Sequence, residues 1–251
     1  MSPAPEERFS DRVENYIRWR PGYPEGLLDT LRTHGGLNAT STVADIGSGT
    51  GISSMLLLKA GCTVHGVEPN AAMREAAERI LAAEPKFKRV DARAETTTLP
   101  DASIDLIVAA QAFHWFNTPE TRREFHRILK PSGRVALIWN ERRLNSTPFL
   151  RDYEALVLQF STDYSAVRHE NIDAAALSSF FDGSYQTHVF EYEQCFDFDG
   201  LKGRLLSCSY APAPGHPRHE AMVMELRRLF DRHQVEGRVV FLYDTKLYLG
   251  Q

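Results

Sequence analysis

From about residue 41 to residue 140 the chain alternates short β-branched or apolar runs with amphipathic stretches, joined by brief turns. No other feature restricts its fold as much. Thr42–Ile46, Thr63–Val67, Phe87–Ala92, Ile104–Ala110 and Arg134–Trp139 read as five strands. Residues 51–60, Ala71–Ala83 and the stretch opened by Thr118-Pro119-Glu120 read as helices. Strand–helix–strand units with short connections pack as parallel pairs with right-handed crossovers, so the pattern predicts an α/β fold around a parallel sheet. Ile104–Ala110 is almost continuously apolar, as a strand covered on both faces is. Gly61 stands just past one helix as a stop. Met73, Ala77, Ile80 and Leu81 share a face of the next. Thr118 is a helix cap followed by a first-turn proline, with Phe125, Ile128 and Leu129 on the buried side and Pro131-Ser132-Gly133 as the terminator.

The remainder is less regular. Phe149–Phe160 reads as a helix, Gln186–Phe196 as a strand, Leu201–Cys208 as a short helix and Val239–Leu249 as a final strand. Met222, Leu226, Leu229 and Phe230 mark an amphipathic helix between them. Residues 1–30 and the stretch 141–235 are expected to cover one edge of the sheet as a lid. Length alone, 251 residues, fits one large domain or two small ones. The pattern selects one domain over 1–251: an N-terminal cap at 1–40, a core at 41–140, and lid insertions with sheet completion at 141–251.

Composition excludes several classes. A net charge of -4, from 29 basic and 33 acidic residues, leaves no basic excess to hold a phosphate backbone. Cys62, Cys195 and Cys208 are far apart, with no paired-cysteine or cysteine–histidine spacing, so neither a metal site nor a disulfide framework is expected. Met1–Phe9 is polar and no apolar run has signal-peptide or membrane-spanning length, which predicts a cytoplasmic protein without a membrane partner.

Val43-Ala44-Asp45-Ile46-Gly47-Ser48-Gly49-Thr50-Gly51 follows a strand and opens a helix. Glycines there let the backbone turn sharply and approach a ligand closely. Glu68 stands 21 positions after Gly47, at the end of the second strand, where an acid can accept both hydroxyls of a ribose. A nicotinamide dinucleotide wants glycines at one, three and six, with its pyrophosphate on the helix start. Here the third glycine comes one place early, Ile52 fills the expected position, and the Asp45 carboxylate would repel a pyrophosphate. A nucleoside with an ammonium group and no phosphates suits the turn better, and S-adenosylmethionine is such a ligand. The phosphate loop of ATPases is absent.

The segment resembles motif I of the class I S-adenosylmethionine-dependent methyltransferases. Four further segments bring the chain close to the small-molecule, trans-aconitate methyltransferase-like family within it. They are Tyr16-Ile17-Arg18-Trp19-Arg20-Pro21-Gly22-Tyr23-Pro24, Ala94-Glu95 through Leu99-Pro100, Gln111-Ala112-Phe113-His114-Trp115-Phe116, and Arg127-Ile128-Leu129-Lys130-Pro131-Ser132-Gly133. The resemblance implies a Rossmann-like, doubly wound sheet of seven strands. It would be mostly parallel, with an antiparallel last strand inserted between its neighbours and helices on both faces. It also implies that Asp45, Gly47, Ser48 and Gly49 line the methionine end of the cofactor and that Glu68 holds the ribose. Ala94 and Glu95 would lie beside the adenine and Gln111 under the cofactor, with Tyr16 and Arg20 closing over it. The Thr96-Thr97-Thr98 loop beside the expected adenine contacts is longer than in many relatives.

A sulfonium methyl leaves in an in-line displacement, and a carboxylate acceptor needs anchors whereas a phenol, amine or carbon acid usually needs a base. His114 is the candidate base; the alternative is that it packs the pocket floor with Trp115. Asn140 and Tyr210 are candidate acceptor contacts with Trp115, while Arg142 and Arg143 are further candidates. The Arg127–Lys130 cluster reads as an exposed helix end. The acceptor is expected to be a small molecule, a carboxylic acid among the candidates. The segments that base-amino and cytosine-carbon methyltransferases use are absent, so nucleic acid is not expected. A non-catalytic protein that binds S-adenosylmethionine or S-adenosylhomocysteine stays open at this point, as does, less favoured, a nicotinamide-dependent oxidoreductase. Nothing in the chain signals an oligomeric state.

Overall fold

A computed structural model describes residues 12–164 and 172–251. Residues 1–11, the start of the expected cap and the segment behind the cytoplasmic expectation, lie outside the described residues. The elements run α1 (Val13–Trp19), α2 (Glu25–His34), β1 (Thr42–Ile46), α3 (Ile52–Lys59), β2 (Thr63–Val67), α4 (Ala71–Ile80), β3 (Phe87–Val90) and β4 (Ile104–Ala110). There follow α5 (Pro119–Ile128), β5 (Leu129–Arg142), α6 (Pro148–Phe160), α7 (Ala174–Phe180), β6 (Tyr185–Phe196), α8 (Phe198–Leu206), α9 (His219–His233) and β7 (Val239–Gly250).

One seven-stranded sheet has the order β3-β2-β1-β4-β5-β7-β6. The first five strands are parallel, and β7 runs antiparallel between β5 and β6. Side chains alternate across the sheet with period two, and both faces are buried. Ala44, Ile46, Ile107, Ala109, Leu137 and Trp139 face Phe125 of α5 and Phe180 of α7. Val43, Leu106, Val108, Ala136 and Ile138 face Leu27 and Leu31 of α2 and Leu57 of α3. Side-chain oxygens of Asn70, Thr118, Thr147, Asp173 and Asp197 accept from backbone N–H groups in the first turns of α4, α5, α6, α7 and α8, which fixes where those helices begin.

Three sequence expectations need correction. The helix expected over Ala71–Ala83 ends at Ile80, and Ile80 is 39% exposed rather than buried. Leu81 leaves the helix to plug the glycine-rich turn, where a Cβ on Gly51 would lie 2.8 Å from its Cδ1. Pro131-Ser132-Gly133 does not end α5. The helix stops at Ile128, Leu129 already pairs with Ile104, and the register shift before the Leu106–Arg134 pair makes residues 130–133 an outward bulge in β5. The third strand is shorter than expected, ending at Val90.

β6 and β7 pair along their whole lengths, from Tyr185–Gly250 to Phe196–Val239, but β5 follows β7 only as far as Tyr243. The free end of this ribbon extends past the parallel sheet and carries a second core. Phe241 and Tyr243 pack there with Phe149 and Tyr153 of α6, Leu205 of α8 and Leu226 of α9. The stretch 141–235 is therefore not all cover, because β6 within it is the edge strand of the sheet. α1 docks on α8 through Trp19, which fills the groove over Gly200 and Gly203; a Cβ on Gly203 would lie 2.1 Å from the indole nitrogen. Among the described residues no helix is long and apolar enough to cross a membrane.

Candidate functional site

The turn after β1 makes the site possible. Gly47 and Gly49 both have positive φ, in the left-handed region that side chains disfavour. Gly47 and Ser48 both donate to the Val67 carbonyl, at 2.8 and 3.2 Å, which ties the turn to the end of β2. A Cβ on Gly47 would lie 2.6 Å from the Ala112 Cβ. Gln111 shares the positive φ, uncommon outside glycine. Its amide is held by the Ile138 carbonyl at 2.8 Å. Strand ends and turns thus open a crevice at the carboxyl edge of the sheet, where ligands of such folds lie.

The crevice has two compartments. The first, about 280 Å³, is lined by Gly47, Gly49, Glu68, Ala94, Glu95 and Gln111, with apolar walls from Val67, Met73, Ala112 and Phe116. The second, about 140 Å³, is lined by Arg20, Ser48, Gln111, His114, Asn140 and Tyr210, with Arg142, Tyr164 and Arg204. Tyr16, Gly47, Ala110, Gln111 and Trp115 line both, so the compartments meet there.

Their electrostatics differ. Burial raises the Glu68 carboxyl above its usual range, against two backbone donors. Its Oε1 accepts from Asn70 N and its Oε2 from Gly49 N, both at 2.9 Å. Each carboxylate oxygen can accept a second bond. The second compartment is cationic. Arg20 donates to the Ser207 carbonyl at 3.0 Å and lies over the Tyr16 ring. Its Nε is buried without a partner among the described residues. The Arg142 guanidinium pairs with Glu154 and lies 4.9 Å from the Tyr153 ring centroid.

Asp45 is placed differently from the sequence expectation. It does not line either compartment. Strand parity puts it on the α3 face of β1, where Oδ2 accepts from Ser53 and Ser54 at 2.7 and 2.6 Å. Ser53 lines the crevice in its place. Burial pushes the Asp45 carboxyl up to about 6 despite the serine hydroxyls, and Oδ1 has no partner among the described residues.

Residues 44–137 match the family model described as a methyltransferase domain. An uncharacterized methyltransferase of Schizosaccharomyces pombe is 32% identical over 153 residues, which cover 59% of this chain and 58% of that one. A second uncharacterized methyltransferase-like protein of the same yeast is 26% identical over 251 residues, covering 97% of this chain and 94% of its own. A methyltransferase structure from Thiobacillus denitrificans, in complex with S-adenosyl-L-homocysteine, superposes with a TM-score of 0.55 at 18% identity, covering 99% of each chain. At that identity the likeness is one of fold. Residues 44–137 thus form a methyltransferase domain, and the matches together support a class I S-adenosylmethionine-dependent methyltransferase.

In the first compartment a half-bonded acid faces a slot with apolar walls, beside a backbone turn that tolerates no Cβ. The Thr96–Thr98 loop is pinned. Thr97 donates through its amide and its hydroxyl to Glu124 Oε1, at 2.7 and 2.5 Å. Arg127 clamps Glu124 and Asp101 together. Hydrogen bonds from Arg127, opposed by burial and aided by Thr97, hold the Glu124 carboxyl down to about 2. Arg127 is exposed in the last turn of α5, as the sequence leads one to expect, and in addition carries these two ion pairs.

In the second compartment the methyltransferase uses Asn140 internally as well as on the wall. Its Nδ2 donates to Gly22 O at 2.8 Å and its Oδ1 accepts from Thr245 at 2.6 Å, tying the N-terminal segment to β5 and β7. The Trp139 indole N–H meets His114 Nδ1 at 3.5 Å. That long bond favours the tautomer with the proton on Nε2. Arg143 faces away, paired with Glu191 and Asp244. Arg204, Tyr164 and Ser53 escape a reading of the sequence; no motif marks them, and only tertiary packing brings them here.

Proposed function

We propose that this chain transfers a methyl group from S-adenosylmethionine to a small-molecule acceptor, with a carboxylic acid as the acceptor class. The observation that carries the reading is the meeting of an acidic, nucleoside-shaped compartment and a cationic, tyrosine-walled one at Gly47, Gln111 and Trp115. When bound, the cofactor supplies an electrophilic methyl on a sulfonium.

The protein's own residues bind and orient. Glu68 would accept the ribose hydroxyls through its remaining lone pairs, and Gly47, Ser48 and Gly49 would let the methionine part lie against the backbone. Ala94 and Glu95 would border the adenine. Tyr16 and Arg20 would close over the cofactor, with the Arg20 guanidinium toward its carboxylate. Asp45 would act from beneath, its unpartnered oxygen adding negative potential under the turn. Gln111 would hold the floor where the methyl passes, its Nε2 anchored on Asn140 O at 3.3 Å. His114 with a proton on Nε2 would donate a hydrogen bond to the acceptor, and the tautomer favours that role over proton abstraction. Trp115 would exclude water, Tyr210 would contact the acceptor, and Asn140 would fix the segment that closes above it. In a dry, aligned site these positioning effects supply most of the acceleration. The protein would act in the cytoplasm, without a nucleic-acid acceptor.

Titration with S-adenosylhomocysteine, followed by incubation with methyl-labelled cofactor and fractionated metabolite extracts, tests this reading. Mass spectrometry should find a labelled small molecule whose formation releases S-adenosylhomocysteine. Tight cofactor binding with no labelled product from any extract would instead indicate a binding protein without turnover.

A further inference from the structure

The wall of the second compartment holds a guanidinium that lacks a carboxylate partner among the described residues. Arg204, on α8, is 8% exposed and lines the cavity. Its Nη1 donates to the Cys208 sulfur at 3.1 Å, and its Nε is buried with no partner among the described residues. The ionisable neighbours that bear on it are Tyr243, Cys208, Tyr153 and Tyr210, all weak acids. Arg142 also stands beside Tyr153 and Tyr210, and one carboxylate, Glu154, neutralises it while its Nη1 stays buried without a partner among the described residues.

A buried cation without an anion is costly, and removing it is often neutral or stabilising for the fold. Its presence in a cavity wall calls for a ligand that brings the missing charge. Burial alone would raise the Cys208 thiol, yet Arg204 and Arg20 pull it down to about 7, so the site already draws on the nearest group that can become negative. Arginine is suited to this task because its planar fork meets a carboxylate with two parallel hydrogen bonds.

We propose that Arg204, with Arg142 beside it in the same cavity wall, receives a carboxylate of the acceptor and so selects organic acids over their neutral analogues. This rests on the methyltransferase reading above and names the acceptor's anchor within it. The shared chemistry, a carboxylate on a guanidinium, could also come from the cofactor's own amino-acid tail. Arg20, on the segment that carries Tyr16, is the candidate for that tail.

The test is calorimetry on the full chain loaded with S-adenosylhomocysteine. The probes are mono- and dicarboxylic acids of two to ten carbons, each against its amide, with wild type, Arg204→Met and Arg204→Lys. At least one acid should bind at least about ten-fold more tightly than its amide. Arg204→Met should erase that preference, and Arg204→Lys should keep part of it. The affinity for S-adenosylhomocysteine should stay within about three-fold in both variants. The melting temperature of unliganded Arg204→Met should be unchanged or raised. Acids that bind no better than amides, or a preference that survives Arg204→Met, would overturn the proposal. So would selective loss of S-adenosylhomocysteine binding, which would give Arg204 to the cofactor, or a large drop in melting temperature with Arg204→Lys also failing, which would make it structural. Failure of wild type to bind S-adenosylhomocysteine would instead strike the methyltransferase reading itself.

Discussion

The two halves of the crevice are built by different means. The compartment around Glu68 is made of backbone: turns with positive φ, strand ends, and one acid bonded by two amides. The compartment around Arg204 is made of long side chains from α1, β5, α8 and the loops between elements. The first is anionic and shaped by what cannot be present, a Cβ at Gly47. The second is cationic and shaped by what is present, a cluster of tyrosines and arginines. A backbone cradle suits a constant ligand, whereas a cavity of exchangeable side chains suits one that varies between relatives.

Substitutions can break this contrast. The largest effect is expected at Gly47, which belongs to both halves. Gly47→Ala forces an alanine into left-handed backbone and against Ala112, and should lower S-adenosylhomocysteine affinity by at least about 100-fold in calorimetry. His114→Ala should reduce turnover by about 100-fold. His114→Gln, which can still donate, should recover to within about ten-fold of wild type; a glutamine variant as inactive as the alanine one would restore the general-base role. Glu68→Ala removes a charged acceptor worth about 1.5–3 kcal/mol, a loss of about 10- to 150-fold in cofactor affinity, and should leave binding of acids in the other half unchanged. Unchanged cofactor affinity would refute the ribose assignment.

Two smaller effects are readable in stability. Glu124 has a carboxyl held down to about 2, so it adds stability that is complete above its ordinary range near 4.5 and fades as pH falls toward 2. Glu124→Gln should cost about 1–3 kcal/mol at pH 7 by denaturant unfolding, and the cost should shrink steadily below pH 5. Asp45 has the opposite sign. Its carboxyl, raised from 3.8 to about 6, is held protonated longer in the folded chain, so stability is lost as pH rises through that interval. Asp45→Asn should therefore match wild type near pH 4 and exceed it by about 1–2 kcal/mol at pH 8, with a few-fold weaker cofactor binding.

The contrast also explains what the sequence makes legible. β1, β2 and β4 with the turn after β1 can be read in advance because apolar runs and glycine spacing are local signals. The parallel pairing of the core follows from the strand–helix alternation, and the place of β7 from the family resemblance. Asp45 reads as a wall residue because spacing along the chain carries no information about depth. Strand parity sends its side chain to α3, and that face becomes visible only once the register is known. At the end of α5, Pro131 and Gly133 look like a terminator, whereas Leu129 finds a pairing partner in Ile104 first. Arg204 is invisible for a different reason. On its helix it is one charged residue among several, and its meaning comes from Tyr153, Tyr210 and Tyr243, which lie on other segments.

The position of β7 has a consequence for vectorial synthesis. Every other element precedes it in the chain, yet it occupies the slot between β5 and β6. While a ribosome is still making residues 197–238, β5 has one bare flank and β6 has no partner at all. A strand edge left waiting in this way is a template for another chain. The parallel strands around Glu68 can pair early, whereas β6 joins the sheet only when β7 arrives.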